Sequence, residues 1–200
     1  YLNRGDPNGK DWVVGQCDVS IRPGWFYHES QDSLVKTPEE LVDIYYKSVG
    51  RNAVLLLNIP PDKRGLIHEN DVQSLNKFRE ILDDTFRDNL LNREGSLAHE
   101  SSDNREYPAV NLSDDDFNTY WAAQGEEFPV DITIEFPEAE FDVIMLQEPI
   151  WLGQRISKFK ISIRKDNQWE EITTGRTIGY KRLIRTEPVR ASKMKITLME

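Results

Sequence analysis

Ala53-Val54-Leu55-Leu56-Leu57-Asn58-Ile59 is apolar throughout apart from Asn58, and Pro60-Pro61-Asp62 ends the run. A strand that does not alternate apolar with polar residues is one buried on both faces, as in a parallel sheet covered by helices. The flanking segments supply those helices. Upstream, Thr37-Pro38-Glu39-Glu40 reads as a helix start, with Thr37 as N-cap, Pro38 in the first turn and Glu40 closing a capping box. Leu41, Ile44, Tyr45 and Ser48 then share one face, and Gly50 is the stop signal. Downstream, Asn70 and Gln73 mark a second start, followed by the apolar stripe Val72, Leu75, Phe78, Leu82 and Phe86. Residues 11–87 therefore read as strand, loop, helix, strand, loop, helix. Two strands alone leave sheet edges unpaired, and an apolar central strand cannot face water. The expectation is that this unit ends a larger α/β sheet or barrel whose earlier part precedes Tyr1.

Beyond Phe86 the period changes from helical to two. Val130, Ile132, Ile134 and Phe136 alternate with Asp131, Thr133 and Glu135; Phe159, Ile161 and Ile163 alternate with Lys158, Lys160 and Ser162; Met194, Ile196 and Leu198 continue the pattern. Short alternating strands separated by turn residues indicate a β-sandwich or jelly roll. The expected organisation is multidomain, α/β plus all-β: an incomplete α/β unit over 1–87, a polar linker over 88–95 and a sandwich over 96–200.

Composition excludes several classes of function. The 200 residues carry 25 Lys and Arg against 35 Asp and Glu, net −10, which argues against a nucleic-acid partner because a phosphate backbone selects a basic surface. The longest strongly apolar run is far too short to span a membrane. With one cysteine, Cys17, no internal disulfide framework is possible, and Cys17 reads as a small buried hydrophobe. The charge is unevenly placed: residues 88–150 hold 2 basic and 16 acidic residues, residues 151–200 hold 12 basic and 5 acidic. Because both blocks also alternate as strands, the simplest reading is that oppositely charged strands of one sandwich lie side by side.

The richest stretch chemically is Trp12 to His28, where an Arg, a His and several rings crowd a strand-to-loop segment. Sugar sites have this make-up, with a flat ring against the C–H face of a pyranose and planar polar groups for its hydroxyls; a buried aromatic loop has it equally. The string Ser20-Ile21-Arg22-Pro23-Gly24-Trp25-Phe26-Tyr27-His28, followed by Ser48-Val49-Gly50-Arg51-Asn52, Leu55 to Asp62 and Gly65, resembles the C-terminal part of the catalytic domain of α-L-fucosidases, glycoside hydrolases of family 29. The likeness extends over about residues 8–87 and, in flavour, to the subgroup acting on α-1,3- or α-1,4-linked fucose. It implies the last part of a TIM-type (β/α)8 barrel, with Leu55 to Ile59 as its eighth strand, and retaining hydrolysis of terminal fucose without a redox cofactor or catalytic metal. Trp25 would pack against the fucose methyl group on the pocket floor; Arg22, Tyr27 and His28 would line or support the pocket; Asn58 would sit at the strand's C-terminal end, where barrel enzymes keep their sites. The expected partners are a fucosylated oligosaccharide or glycoconjugate and the upstream part of the same domain, with no nucleic acid and no membrane. Location in the periplasm or outside the cell rests on the resemblance alone.

Gln16 departs from the pattern, standing where Glu often precedes Cys-Asp. A retaining mechanism needs a carboxylate nucleophile and a carboxylic acid about 5–5.5 Å apart, and an amide can only hold hydrogen bonds. Gln16 is therefore read as substrate-binding, and both carboxylates are expected upstream, which would leave this portion inactive alone. Asp18, Glu29, Asp32 and Asp62 read as structural carboxylates, and His68 and His99 as surface residues. The alternative is a non-catalytic carbohydrate-binding protein derived from a fucosidase, with Gln16 marking lost chemistry.

Residues 95–200, through Asn111 to Trp121, Val130 to Phe136, Gln168-Trp169-Glu170 and Gly179 to Arg182, resemble discoidin-like sandwiches of the F5/8 type C kind, which often accompany glycosidases. The resemblance allows a structural calcium, for which Asp114, Asp116, Thr119 and Glu200 could supply oxygens, with a solvated acidic turn as the other reading, and Trp121 reads as a core residue. Sugar binding by this domain would use Trp151, Arg155, Tyr180 and Arg182; the other reading is a purely structural role, packing against the barrel.

Overall fold

The computed structural model describes residues 5–100, 104–125 and 127–200, which form two compact units, one over 13–87 and one joining 5–12 to 88–200. In the first, β1 (Gly15–Ser20) and β2 (Ala53–Asn58) pair in parallel, with Gly15 opposite Ala53 and Ser20 opposite Asn58. Between them runs α1 (Pro38–Ser48), which starts with the reciprocal capping box of Thr37 and Glu40. The helix α2 (Glu69–Thr85) packs on α1, with Tyr45 edge-on to Phe78 at 6.2 Å.

Two expectations need correction. β2 is not covered on both faces here: Val54 and Leu56 are each 54% exposed, whereas Ala53 is buried and Leu55 and Leu57 partly so. A run apolar on both sides needs two covering layers, and the helices of this unit supply one. Second, α2 begins at Glu69, because His68 is its N-cap, its Nδ1 accepting from the Asn70 amide at 3.2 Å. The Asn70 side chain instead donates to the Asp32 carbonyl at 2.8 Å.

The second unit is an antiparallel sheet of order β3-β4-β7-β5-β6: β3 Leu97–Glu100, β4 Val130–Leu146, β5 Lys158–Lys165, β6 Gln168–Arg176 and β7 Arg182–Leu198. Seventeen residues of straight strand would span about 55 Å, too long for a compact domain of this size. Register breaks in β4, between Glu135 and Ala139 and between Phe141 and Val143, interrupt the β4–β7 pair, as bulges do where strands bend from one layer to another. The core holds Ile132, Ile134, Phe136, Phe159, Ile161, Met194, Ile196 and Leu198, the inward positions of the alternation, with Trp121 partly buried against them. The charge blocks meet along β4 and β7: Glu135 pairs with Lys193, Glu138 with Arg190 and Asp131 with Lys195. Residues 5–12 join this unit through the Asp6 carbonyl, which accepts from Gln154 Nε2 at 3.0 Å, and through Trp12, whose ring lies 6.1 Å from that of Tyr180. Among the described residues, no helix is long and apolar enough to cross a membrane.

Candidate active site

The parallel register brings Ser20 and Asn58 side by side at the C-terminal ends of β1 and β2. Asn58 Nδ2 donates to Ser20 Oγ at 3.1 Å and to the Trp25 carbonyl at 2.9 Å, and Ser20 Oγ donates to the Gly24 carbonyl at 2.7 Å. The Gly24 amide donates to Gln31 Oε1 at 3.3 Å. The backbone around Trp25 is thus satisfied from the strand ends, while its ring stays 53% exposed and Phe26 beside it is exposed too. A ring held by its own backbone yet left open is a ready surface for an apolar ligand face.

Below this loop lies a buried ion-pair network. Arg22 Nε donates to Asp71 Oδ2 at 3.0 Å, both side chains being 0% exposed, and Nη1 donates to Asp32 Oδ1 at 2.8 Å. Asp32 Oδ2 also accepts from the Tyr27 hydroxyl at 3.3 Å and faces His68 Nε2 at 3.3 Å. The Arg22 guanidinium stacks over the Tyr27 ring, 4.8 Å from its centroid. Hydrogen bonding from Arg22 chiefly holds the Asp32 carboxyl below its ordinary range, while desolvation, followed by the charge of Asp32, raises the Tyr27 phenol. Tyr27 is therefore a neutral donor at physiological pH.

The structure gathers Arg22, Trp25, Tyr27 and Asn58 around one loop, and His28 lies exposed on the same loop, preceding the short 3-10 turn Glu29–Leu34. Gln16 stands apart. It shares the face of Ser20 but lies four residues earlier in β1, about 13 Å down the strand, and its Nε2 donates to Asp18 Oδ1 at 2.7 Å. Asp62 is structural, as expected: it is buried and held by Arg64. His68 is a helix cap rather than a surface group, and Cys17 is only partly buried. The residues that sequence reasoning missed are Ser20 and Asp71. An acid in the first turn of a helix is ordinarily a dipole partner, so nothing local marked Asp71 as the counterion of an arginine 49 positions away.

In the second unit, Thr119 Oγ1 donates to Asp114 Oδ2 at 2.6 Å, and Asp116 accepts from Asn118. Glu200 does not join them; its Oε2 accepts from Ser157 Oγ at 3.4 Å. Among the described residues there is no group of three or more His, Cys, Asp or Glu side chains placed to hold a metal ion. Trp151 is 60% exposed and Tyr180 is exposed, but Arg182 donates to the Thr177 carbonyl and lies over the Phe159 ring, and Arg155 Nε donates to the Leu152 carbonyl. Both arginines are thereby engaged in holding local structure.

Comparison with known proteins agrees with this division. Residues 3–84 match the alpha-L-fucosidase family, and residues 97–200, more than half of the chain, match the F5/8 type C domain family. A provisionally named alpha-L-fucosidase 1 of Oryza sativa subsp. japonica is 41% identical over 202 residues, covering 99% of this chain and 39% of the rice protein. Alpha-L-fucosidase 1 of Arabidopsis thaliana is 39% identical over 190 residues, covering 92% of this chain and 37% of that protein. The chain thus spans well under half the length of these relatives. Among solved structures, SpGH29 superposes with a TM-score of 0.90 at 39% identity over 100% of this chain and 44% of its own. A Ruminococcus gnavus GH29 fucosidase in complex with fucose superposes at 0.89 with 36% identity, over 98% of this chain and 40% of its own. The chain belongs to the α-L-fucosidase family, as the C-terminal part of its (β/α) barrel followed by an F5/8 type C β-sandwich.

Proposed function

We propose that this chain forms part of a retaining α-L-fucosidase and supplies the floor of its fucose pocket, with terminal α-1,3- or α-1,4-linked fucose on a glycan as substrate. The observation that carries the reading is the exposed Trp25 ring on a loop pinned by Ser20 and Asn58 at the C-terminal ends of two parallel strands, the end at which barrel enzymes carry out chemistry. The open face of Val54 and Leu56 fits a strand pair whose second side is covered by the rest of a barrel. The bound fucose of the R. gnavus relative supports the same sugar here. The nucleophilic and acid carboxylates are assigned to the part of the domain not contained in these residues.

Gln16 gives little support to a degenerate, non-catalytic protein. Its place about 13 Å below the strand end and its bond to Asp18 suit a filler of the barrel interior. Fucose release from a Lewis-type trisaccharide by the protein with its complete catalytic domain is the test. Turnover is expected with Gln16 in place and with Gln16→Glu alike, and Trp25→Ala should raise KM. Binding of fucose without turnover in both forms would overturn the assignment. Calcium at the Asp114–Thr119 turn stands as a subsidiary proposal, resting on two carboxylates and a hydroxyl within one loop; a titration with no heat and no change in melting temperature removes it.

A further inference from the structure

The guanidinium of Arg22 has no exposed surface, so it cannot touch a sugar in the Trp25 pocket. Nor does stability alone account for it. A buried ion pair barely repays the desolvation of its charges unless every remaining polar atom is bonded, yet Arg22 Nη2 and Asp71 Oδ1 are both buried with no hydrogen-bond partner among the described residues. Geometry accounts for the arrangement better. Arg22 leaves the end of β1 and reaches Asp71 in the first turn of α2 through one edge of its fork, and Asp32 in the 3-10 turn through the other. Its Nη1 also approaches the His28 carbonyl at 3.5 Å. The Asn70 side chain ties the Asp32 carbonyl to the same helix end, Ser74 Oγ holds the Lys36 carbonyl at 2.5 Å, and the Lys36 amide returns to the Ile21 carbonyl at 2.9 Å. Both ends of the loop that presents Trp25 are thus anchored to one rigid helix, and Arg22 is the strut between them.

We propose that Arg22, gripped by Asp32 and Asp71, is a positioning residue that fixes the 21–32 loop and so holds the Trp25 ring ready for the sugar. Its effect passes through Trp25 and therefore rests on the fucose-pocket reading. A loop that is in the competent conformation only a fraction of the time weakens apparent affinity by that fraction. At saturating sugar the ligand itself pins the loop, so kcat is spared.

The test uses the protein with its complete catalytic domain, in the variants Arg22→Lys, Asp71→Asn and Asp32→Asn. The last is a partly exposed site that tolerates change if the buried variants fold poorly. Two readouts are taken: amide hydrogen exchange over residues 21–32, and kcat and KM for a simple aryl fucoside. The expected result is exchange faster by ~10-fold or more in that loop alone, with KM raised ~10-fold and kcat within about threefold. Trp25→Ala serves as the reference, raising KM while leaving exchange unchanged. Unchanged exchange in Asp32→Asn and in whichever buried variant folds overturns the strut. Faster exchange with an unchanged KM, where Trp25→Ala raises KM, overturns its role in positioning. If Trp25→Ala itself leaves KM unchanged, the fucose-pocket reading fails, and the positioning role fails with it even where the exchange result establishes the strut.

Discussion

Replacing Gly175 by alanine is expected to destabilise the sandwich, because Gly175 in the edge strand β6 lies directly opposite Phe159 in β5 and beneath its ring. A Cβ built on Gly175 falls 2.7 Å from Phe159 Cε1 and 2.9 Å from Cε2, and closer still to Cζ. Ordinary carbon contacts lie near 3.5–4.0 Å, so ring and strand would have to part by about 1 Å. The ring has nowhere to go: Phe159 is 0% exposed, Leu198 is its register partner on β7, and the Arg182 guanidinium lies over it at 5.6 Å. Overpacking of this kind costs about 1–3 kcal/mol, offset by ~0.5–1 kcal/mol for removing a glycine from a strand interior. The net is a loss of about 1–2 kcal/mol, since an edge strand can yield outward a little. In a domain of this size that corresponds to a fall of roughly 4–10 °C in melting temperature, readable by scanning calorimetry. Phe159→Leu alone should also destabilise, through the cavity it opens, by about 1–3 kcal/mol. The double variant should recover about 1 kcal/mol relative to the sum, because the new methyl enters space the ring has left. Gly175→Ala melting at or above the parent temperature, or strict additivity in the double variant, would refute the argument.

Two further outcomes follow from buried carboxylates. Glu148 accepts the backbone amides of Arg155, Ile156 and Gly179 at 2.9, 3.0 and 2.7 Å; charge-assisted bonds of this kind contribute about 1.5–3 kcal/mol each. With water recovering part of that, Glu148→Ala should lose ~3–5 kcal/mol in denaturant unfolding of the sandwich, and an unchanged midpoint would show that the carboxylate does not clamp these loops. Asp62 is held at about 2, chiefly by hydrogen bonds from Arg64. A depressed folded value means that its stabilisation is complete above the unfolded carboxylate range and disappears as the pH falls from about 4 towards 2. Acid unfolding of the unit holding residues 13–87 should therefore be less steep in that window for Asp62→Asn, and identical slopes would contradict the assignment.

The elements were largely legible in the sequence because each depends on local chemistry. The Thr37–Glu40 capping box and the period-two apolar positions of β4, β5 and β7 stand where the pattern placed them. The start of α2 lies before the Asn70 signal because His68, a residue type not marked as a cap by local preference, takes the cap through its Nδ1, leaving the Asn70 side chain to bond the Asp32 carbonyl. The double burial read for β2 is met on one face only within the described residues. Hydropathy reports what a face can bury against, and these residues contain only one of its two covering layers.

The candidate site was legible in a more limited way. The run from Ser20 to His28, with Asn58, could be singled out by residue type and motif, since rings and planar polar groups are scarce and chemically specific. Their division of labour could not. Arg22 looked as fit for a sugar as Trp25 until the fold enclosed it between Asp32 and Asp71 and left the ring open. Gln16, read as substrate-binding from its motif, is set far from the loop by the rise of the strand. Sequence by itself determined which segments become strand and helix, and which family's motifs they carry, because periodicity and capping act over a few residues. Only tertiary structure decided which polar groups are spent on one another and which remain for a ligand, because burial and ion pairing join residues as far apart as Arg22 and Asp71.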